Sequence, residues 1–353
     1  MQYFLPGISA FILTLLLIAI SLKVFPKIGL LDNPKKYGLK RKPIPYPGGI
    51  LLYFIFLILC LIFFRPLGLK FIGLLTGGGI LVLVSFIDDR FGLPAIFRLF
   101  IQILVGAIMV AVGIGIETIT NPFGGYIMLN QYQFPTEWGP LISTLMPVSA
   151  IFTIIWIVLI INTMNWLDGI PGMVSGITVL SSLTLFFLSI SDLVVNGSVV
   201  ATMAIIVTAI AFAFWLFDFH PPKILLGDSG SMFFGLLLSV MAIFSGGKIA
   251  TAFLILGVAI LDLLYVTIHR ILKKQAPWKG GEWDRERKAV HLHHRMLEFG
   301  LSERWVLIII YILSAIFGIS ALLLSTARGK LGAIIILVIA SFVLGIVLRT
   351  KKS

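Results

Sequence analysis

The sequence predicts an all-α integral membrane protein of about eleven transmembrane helices, N-terminus outside, C-terminus inside, with an active site on the cytoplasmic face. Three observations predict it. Mean hydropathy is +1.09, and only 12% of the 353 residues are charged, a balance no soluble domain of this length shows. Eleven apolar stretches of about 18 residues or more are long enough to cross a hydrocarbon core. Six short polar islands interrupt them, each where hydropathy puts the cytoplasm.

The apolar stretches run at 3–24, 48–64, 70–87, 96–116, 143–161, 171–190, 198–217, 229–246, 249–268, 304–325 and 331–348. The first is too long for a signal-peptide core and is followed by no small-residue cleavage site, so it reads as a retained helix. Orientation comes from charge. With the N-terminus outside, 22 of the 27 Lys and Arg fall on inner segments, leaving Arg65, Lys70, Lys248, Arg328 and Lys330 outside. The long outer segment, about 117–142, has no Lys or Arg at all. The positive-inside rule therefore sets N-out, C-in. The basic inner face also attracts anionic lipid and nucleotide, although Lys351 and Lys352 at the end serve topology alone. Cys60, the one cysteine, excludes an internal disulfide and a thiolate metal cluster. No linker or repeat divides the chain. Residues 1–353 form a single polytopic domain whose inner loops 25–47, 88–95, 162–170, 218–228 and 269–303 make the site.

The islands carry the chemistry. Asp88-Asp89 end the third stretch. Adjacent carboxylates at a bilayer edge repel unless a cation or a substrate uses them. Such a pair suits Mg²⁺ with a diphosphate, or an acid that takes a proton from a phosphate; the alternative is a solvated helix end with Arg90 as counter-ion. Asn162, Asn165 and Asp168 are spaced i, i+3, i+6, near one face if the helix continues, and can bind a sugar, a base or a metal's water shell. Gly169, Pro171 and Gly172 then break the helix. Gly227-Asp228-Ser229-Gly230-Ser231 opens another helix, whose N–H groups and dipole suit phosphate, with Asp228 as a candidate Mg²⁺ ligand. Asp218-Phe219-His220 lead a rigid turn with Pro221, Pro222 and Lys223. His291, His293 and His294 lie among Arg287, Lys288 and Arg295. No cysteine or HExxH spacing supports zinc there, and a phosphate pocket fits better. A short amphipathic or re-entrant element suits the 269–303 segment. His269 sits apart at a helix end.

In order, Lys42-Pro43-Ile44-Pro45-Tyr46-Pro47-Gly48-Gly49, Asp88-Asp89, Asn162…Asp168-Gly169, Gly227-Asp228-Ser229-Gly230-Ser231 and His291-Leu292-His293-His294 resemble the signatures of the polyprenyl-phosphate N-acetylhexosamine-1-phosphate transferases, of the glycosyltransferase family 4 type. Asp262 and Arg270 match a further pattern of that family. The His-x-His-His form and the count of eleven helices resemble the branch using UDP-N-acetylglucosamine; the branch using UDP-N-acetylmuramoyl-pentapeptide shows three consecutive histidines. Three departures stand out. Pro171 occupies the place where the family often repeats the acid, no histidine lies near Lys42, and Asp284-Arg285 come earlier than the family's Asp-Arg pair.

The resemblance implies a Mg²⁺-dependent enzyme of the cytoplasmic (inner) membrane, with Mn²⁺ as a substitute ion. It would transfer N-acetylglucosamine-1-phosphate from UDP-N-acetylglucosamine to undecaprenyl or another polyprenyl phosphate, releasing UMP and initiating a cell-envelope glycan such as teichoic acid or lipopolysaccharide. It assigns Asp228 to the metal, Asp88 and Asp89 to catalysis, and Lys42, Asn162, Asn165, Asp168, His291, His293 and His294 to substrate binding. Partners are the UDP-sugar, the lipid phosphate and the bilayer, with no nucleic acid. Homodimers occur in the family, and no residue here demands one. The competing readings are a phospho-N-acetylmuramoyl-pentapeptide transferase and, from another class, a multi-helix transporter, which would place its polar groups near the midplane.

Overall fold

A computed structural model describes residues 2–37, 41–121, 123–135, 144–191, 197–246, 249–272 and 291–347. In chain order the helices are α1 (Phe4–Val24), a 3₁₀ turn (Pro34–Tyr37), α2 (Gly49–Phe63), α3 (Leu69–Phe91), α4 (Ala95–Ala111), α5 (Pro147–Leu167), α6 (Met173–Ser189), α7 (Gly197–Asp218), α8 (Gly227–Phe244), α9 (Ile249–Ile255), α10 (Gly257–Leu272), α11 (Leu292–Glu298), α12 (Glu303–Leu323) and α13 (Ala327–Val347). A helix, or in one case a pair, stands at every predicted apolar stretch. Among the described residues, six are long and apolar enough to cross a membrane: α1, α3, α5, α7, α8 and α12. The protein is a helical integral membrane protein. Phe4, Leu5, Ile12, Leu16 and Ile20 form an exposed apolar face on α1, which lipid tolerates and water does not.

Two features depart from the predicted pattern. The ninth stretch is broken at Leu256 into α9 and α10, where a Cβ on Gly257 would meet the Phe317 ring at 2.2 Å. The fold is also not purely helical. Between α4 and α5, β1 (Thr118–Thr120) pairs antiparallel with β2 (Tyr126–Met128), and β3 (Phe134–Pro135) with β4 (Thr144–Leu145). This cap is tied to α5 through Thr153 Oγ1, which accepts the Ile116 N–H at 2.9 Å, and Ser149 Oγ, which donates to Ile116 O at 2.8 Å.

The centre of the bundle is α8. Nearly all of it is buried, and it touches α2, α3, α5, α6 and α7. A helix enclosed on every side needs small residues where neighbours come close. Its composition answers that need. A Cβ on Gly235 would lie 2.8 Å from Ile161 Cα of α5. On the facing helix, a Cβ on Gly49 would lie 2.2 Å from Gly230 N. These contacts bring the start of α2 and the ends of α3 and α5 against the start of α8, where the polar islands lie.

The candidate active site

The basic loop is folded by one acid. Asp32 receives the Arg41 guanidinium in a fork at 3.1 and 2.6 Å, and accepts the Ile44 N–H at 2.8 Å. Residues 45–49 then run beside 225–226: Leu225 N–H donates to Pro45 O at 3.0 Å, Gly48 N–H to Leu225 O at 2.8 Å and Gly49 N–H to Leu226 O at 3.1 Å. This pairing delivers Tyr46 to the carboxylates. Lys42, predicted to bind substrate, is exposed on this loop and makes no contact with the carboxylates among the described residues.

Asp88 and Asp89 both lie in the last turn of α3, yet they face different partners. Asp89 accepts the Tyr46 hydroxyl at 2.5 Å, the Asp228 N–H at 3.0 Å and the Ser229 N–H at 3.3 Å. It caps α8 from another helix. This corrects the expectation that the first N–H groups of α8 stand open for a phosphate: the Asp228 and Ser229 N–H groups are taken. Gly227 makes the approach possible. Its φ is +77°, and a Cβ there would stand 2.7 Å from Pro47 and 3.0 Å from Asp89 Oδ2.

Asp88 is joined to Asp228 instead. A Gly92-Leu93-Pro94 turn reverses the chain into α4, and Asp88 Oδ1 accepts the Leu93 N–H at 2.5 Å. The reversal places Arg98, on the first turn of α4, between two acids: Nη1 lies 2.8 Å from Asp88 Oδ2 and 3.3 Å from Asp228 Oδ2. Arg98 was legible only as one of many inner cations. Its partner Asp228 is 130 residues away, and no local spacing announces that pairing.

Asn162 and Asn165 occupy the last two turns of α5, and Asp168 is the residue just beyond its end. The face predicted for all three holds for the two asparagines and stops at Leu167. Asn162 exchanges hydrogen bonds with Gln102 of α4, donating to Oε1 at 2.5 Å and accepting from Nε2 at 3.4 Å. Asn165 donates to Ser231 Oγ at 3.2 Å and faces the Asp228 carboxylate. Loss of solvent, followed by repulsion from Asp218, Asp228 and Asp89, pushes the Asp168 carboxyl well above the usual carboxylate range. Asp168 does not cap the following helix. That task falls to Asp218, which accepts the Gly172 N–H at 2.9 Å and the Ser175 hydroxyl at 2.8 Å. In the same turn, His220 Nδ1 lies 2.8 Å from Glu303 Oε2.

The histidines come from the opposite side. His291 N-caps α11 and its Nδ1 lies 2.7 Å from Asp262 Oδ2. His293 is buried, with its ring centroid 4.2 Å from that of His294. A Cβ on Gly169 would fall 2.2 Å from His293 Nε2, so the turn after α5 packs directly on that ring. Asp284-Arg285, Arg287 and Lys288 lie outside the described residues, as do most of the 269–303 segment and the terminal Lys351-Lys352; the described part of that segment contains the short helix α11.

A cavity of about 630 Å³ joins these groups. Its walls are apolar side chains of α4, α5 and α10, and its polar end holds Arg98, Gln102, Asn162, Asn165 and His291. Two carboxylates, Asp88 and Asp228, share the Arg98 guanidinium, and a third, Asp89, accepts the Asp228 N–H. Carboxylate and amide oxygens are hard ligands that fit Mg²⁺, and a cluster short of positive charge suits a divalent ion. Asp228 and Asn165 are placed to hold one.

The chain is similar to known proteins along most of its length. Residues 71–246, which hold Asp88, Asp89, Asp168, Asp228 and both asparagines, match Glycosyl transferase family 4. The probable undecaprenyl-phosphate N-acetylglucosaminyl 1-phosphate transferase of Bacillus subtilis (strain 168) is 29% identical over 349 residues, 95% of this chain and 89% of that protein. The decaprenyl-phosphate N-acetylglucosaminephosphotransferase of Mycobacterium tuberculosis (strain ATCC 25618 / H37Rv) is 26% identical, covering 96% of this chain and 88% of its own length. The undecaprenyl-phosphate alpha-N-acetylglucosaminyl 1-phosphate transferase of Escherichia coli (strain K12) is 25% identical over 88% of this chain and 80% of its own. With its motifs, its buried acid cluster and these relatives in agreement along nearly the whole length, the chain belongs to glycosyl transferase family 4 and is a transferase.

Proposed function

We propose that the protein transfers N-acetylglucosamine-1-phosphate from UDP-N-acetylglucosamine to undecaprenyl phosphate at the inner face of the cytoplasmic membrane. The observation that carries this reading is the cavity: an apolar groove between α4, α5 and α10 whose polar end is continuous, through Arg98, with Asp88 and Asp228. A polyprenyl chain matches the groove, and its phosphate matches the guanidinium at the end. The names of the relatives supply the lipid and the sugar. The inner-face placement rests on the 22 Lys and Arg carried by the inner segments of an eleven-span, N-out topology.

In this scheme an oxygen of the lipid phosphate attacks the β-phosphorus of the UDP-sugar. The bond from that phosphorus to the bridging oxygen breaks, and UMP leaves with the bridging oxygen. Such transfer depends on alignment and charge neutralisation more than on covalent help. Asp228 and Asn165 would hold a Mg²⁺ ion, which would supply charge neutralisation to the diphosphate when bound. Arg98 draws in the lipid phosphate, and Asp88 holds Arg98 in line and can accept a proton from that phosphate. Asp89 keeps the turn before α8 in place, and so fixes Asp228. Asn162 holds its position through Gln102. Asp168 serves the nucleotide side, and His291, His293 and His294 meet the diphosphate and sugar from across the cavity. Lys42, exposed at the entrance, attracts the incoming anion.

The test is turnover by purified protein with undecaprenyl phosphate and Mg²⁺, offered a panel of UDP-sugars and read as UMP release. Release with UDP-N-acetylglucosamine, abolished by EDTA or by omitting lipid, is the expected result. Release only with the muramoyl-pentapeptide donor would move the enzyme to the peptidoglycan branch. No release from any donor would sink the reading.

A further inference from the structure

Asp262 has no part in the scheme above, yet it is buried at 5% exposure on α10 with both carboxylate oxygens in use. Oδ1 accepts the Leu292 N–H at 2.7 Å, and Oδ2 lies 2.7 Å from His291 Nδ1. An ionised carboxylate has no proton to give, so the proton in the second contact sits on Nδ1. One acid thus satisfies an otherwise unpaired N–H in the first turn of α11 and fixes an imidazole. The ring is held on other sides by His293, stacked at 5.4 Å, and by Trp166, edge-on at 6.3 Å.

His291 is also the residue of the histidine motif that lines the cavity beside Arg98 and Asn165. With Nδ1 committed to Asp262, the nitrogen left for a ligand is Nε2, which has no hydrogen-bond partner among the described residues. We propose that Asp262 is a positioning residue that sets the rotamer and proton placement of His291, so that Nε2 is the atom meeting an anionic oxygen of the substrate in the cavity. A neutral ring held this way offers Nε2 as an acceptor for a phosphate proton; a protonated one offers it as a charged donor. Asp262, His291 and His293 also each bring a ligand atom within 4.8 Å of the others. A transition metal bound through Oδ2 would have to displace the His291 Nδ1 contact, whereas the hydrogen-bonded pair explains the geometry as it stands.

The proposal rests on the proposed function only for its kinetic arm. The first arm is nitrogen NMR of full-length protein labelled with ¹⁵N-histidine, the His291 signal being assigned by its loss in His291→Gln. A protonated Nδ1 in the wild type, lost in Asp262→Asn, is expected; an unprotonated Nδ1 in the wild type would overturn the idea. The second arm is a double-mutant cycle read as UMP release. Asp262→Asn should lower kcat on the order of 10- to 100-fold, the loss typical when a functional histidine loses its carboxylate partner. Asp262→Glu should recover part of it, and Asp262→Asn with His291→Gln should be no worse than His291→Gln alone. Losses that multiply would instead make Asp262 a purely structural cap. Stoichiometric capture of zinc by the wild type and not by Asp262→Asn would replace the pair with a metal triad. A wild type that shows the expected Nδ1 signal and no turnover would remove the proposed function and leave the positioning role standing.

Discussion

Asp218 and Asp228 stand at neighbouring helix ends, one closing α7 and the other opening α8, both within the protein's polar layer. Asp218 is 2% exposed and receives a backbone N–H and a hydroxyl. Around it, Tyr311 donates to Gly172 O at 2.5 Å and accepts the Trp215 indole N–H at 2.9 Å, closing the shell. Asp228 is partly open, and its carboxylate shares one guanidinium with Asp88. An acid whose acceptors are met by neutral donors needs nothing from solution and serves the fold. An acid competing with its neighbours for one cation remains available to a ligand. The ratio of donors to acceptors separates the two roles, and the closed acid is also the more buried one.

The largest expected effect tests the open side. Asp228→Asn keeps the shape and removes the charge, and turnover should fall about 1,000-fold, roughly 4 kcal/mol of transition-state stabilisation. The protein should remain monodisperse in detergent with its thermal unfolding within a few degrees of the wild type. UMP release near the wild-type rate in Mg²⁺ would break the comparison at once.

Asp218→Ala tests the closed side in a different currency. It leaves the Gly172 N–H and the Ser175 hydroxyl without their acceptor, a cost of about 2–4 kcal/mol. The unfolding midpoint in detergent should drop, while kcat per folded molecule stays within several-fold. An unchanged midpoint with lost turnover would mean that Asp218 belongs to the chemistry after all.

The smallest effect sharpens the boundary between the two. Asp168 ionises near pH 4 when unfolded, and in the fold its carboxyl is pushed well above that by loss of solvent and by neighbouring acids. Between the two values the folded state binds more protons, so Asp168 makes stability fall as pH rises through that window. Asp168→Asn should therefore raise the unfolding midpoint of metal-free protein at neutral pH and flatten its decline with pH. A lower midpoint at neutral pH would show that the charge is already compensated.

How much of this could be read from residues alone follows the same division. Helices stand at every apolar stretch because length and hydropathy decide them locally. The islands meet because each sits at a helix end on one face. What escaped depended on partners far along the chain. Nothing near Asp89 says that it caps a helix 140 residues later, nothing near Arg98 names Asp228, and Asp218 looks as reactive as Asp228 until its donors are seen. The break at Leu256 adjoins the close packing of Gly257 on Phe317, a partner 60 residues away. The two β ladders between α4 and α5 are only two or three residues long, too short for alternation to show.

The bond from Asp89 to the start of α8 carries a consequence for synthesis. A ribosome that has delivered everything through α7 has already placed Asp88, Asp89, Arg98 and both asparagines in the membrane, but the cap has no helix to hold and the cluster lacks Asp228. The acid cluster is therefore complete only when the eighth helix has joined the bundle, and the α10 wall and His291 of the cavity follow still later in the chain. A chain arrested before that step lacks Asp228, and a protein split between α7 and α8 has to re-form the Asp89 cap together with the packing of α8 against its five neighbours.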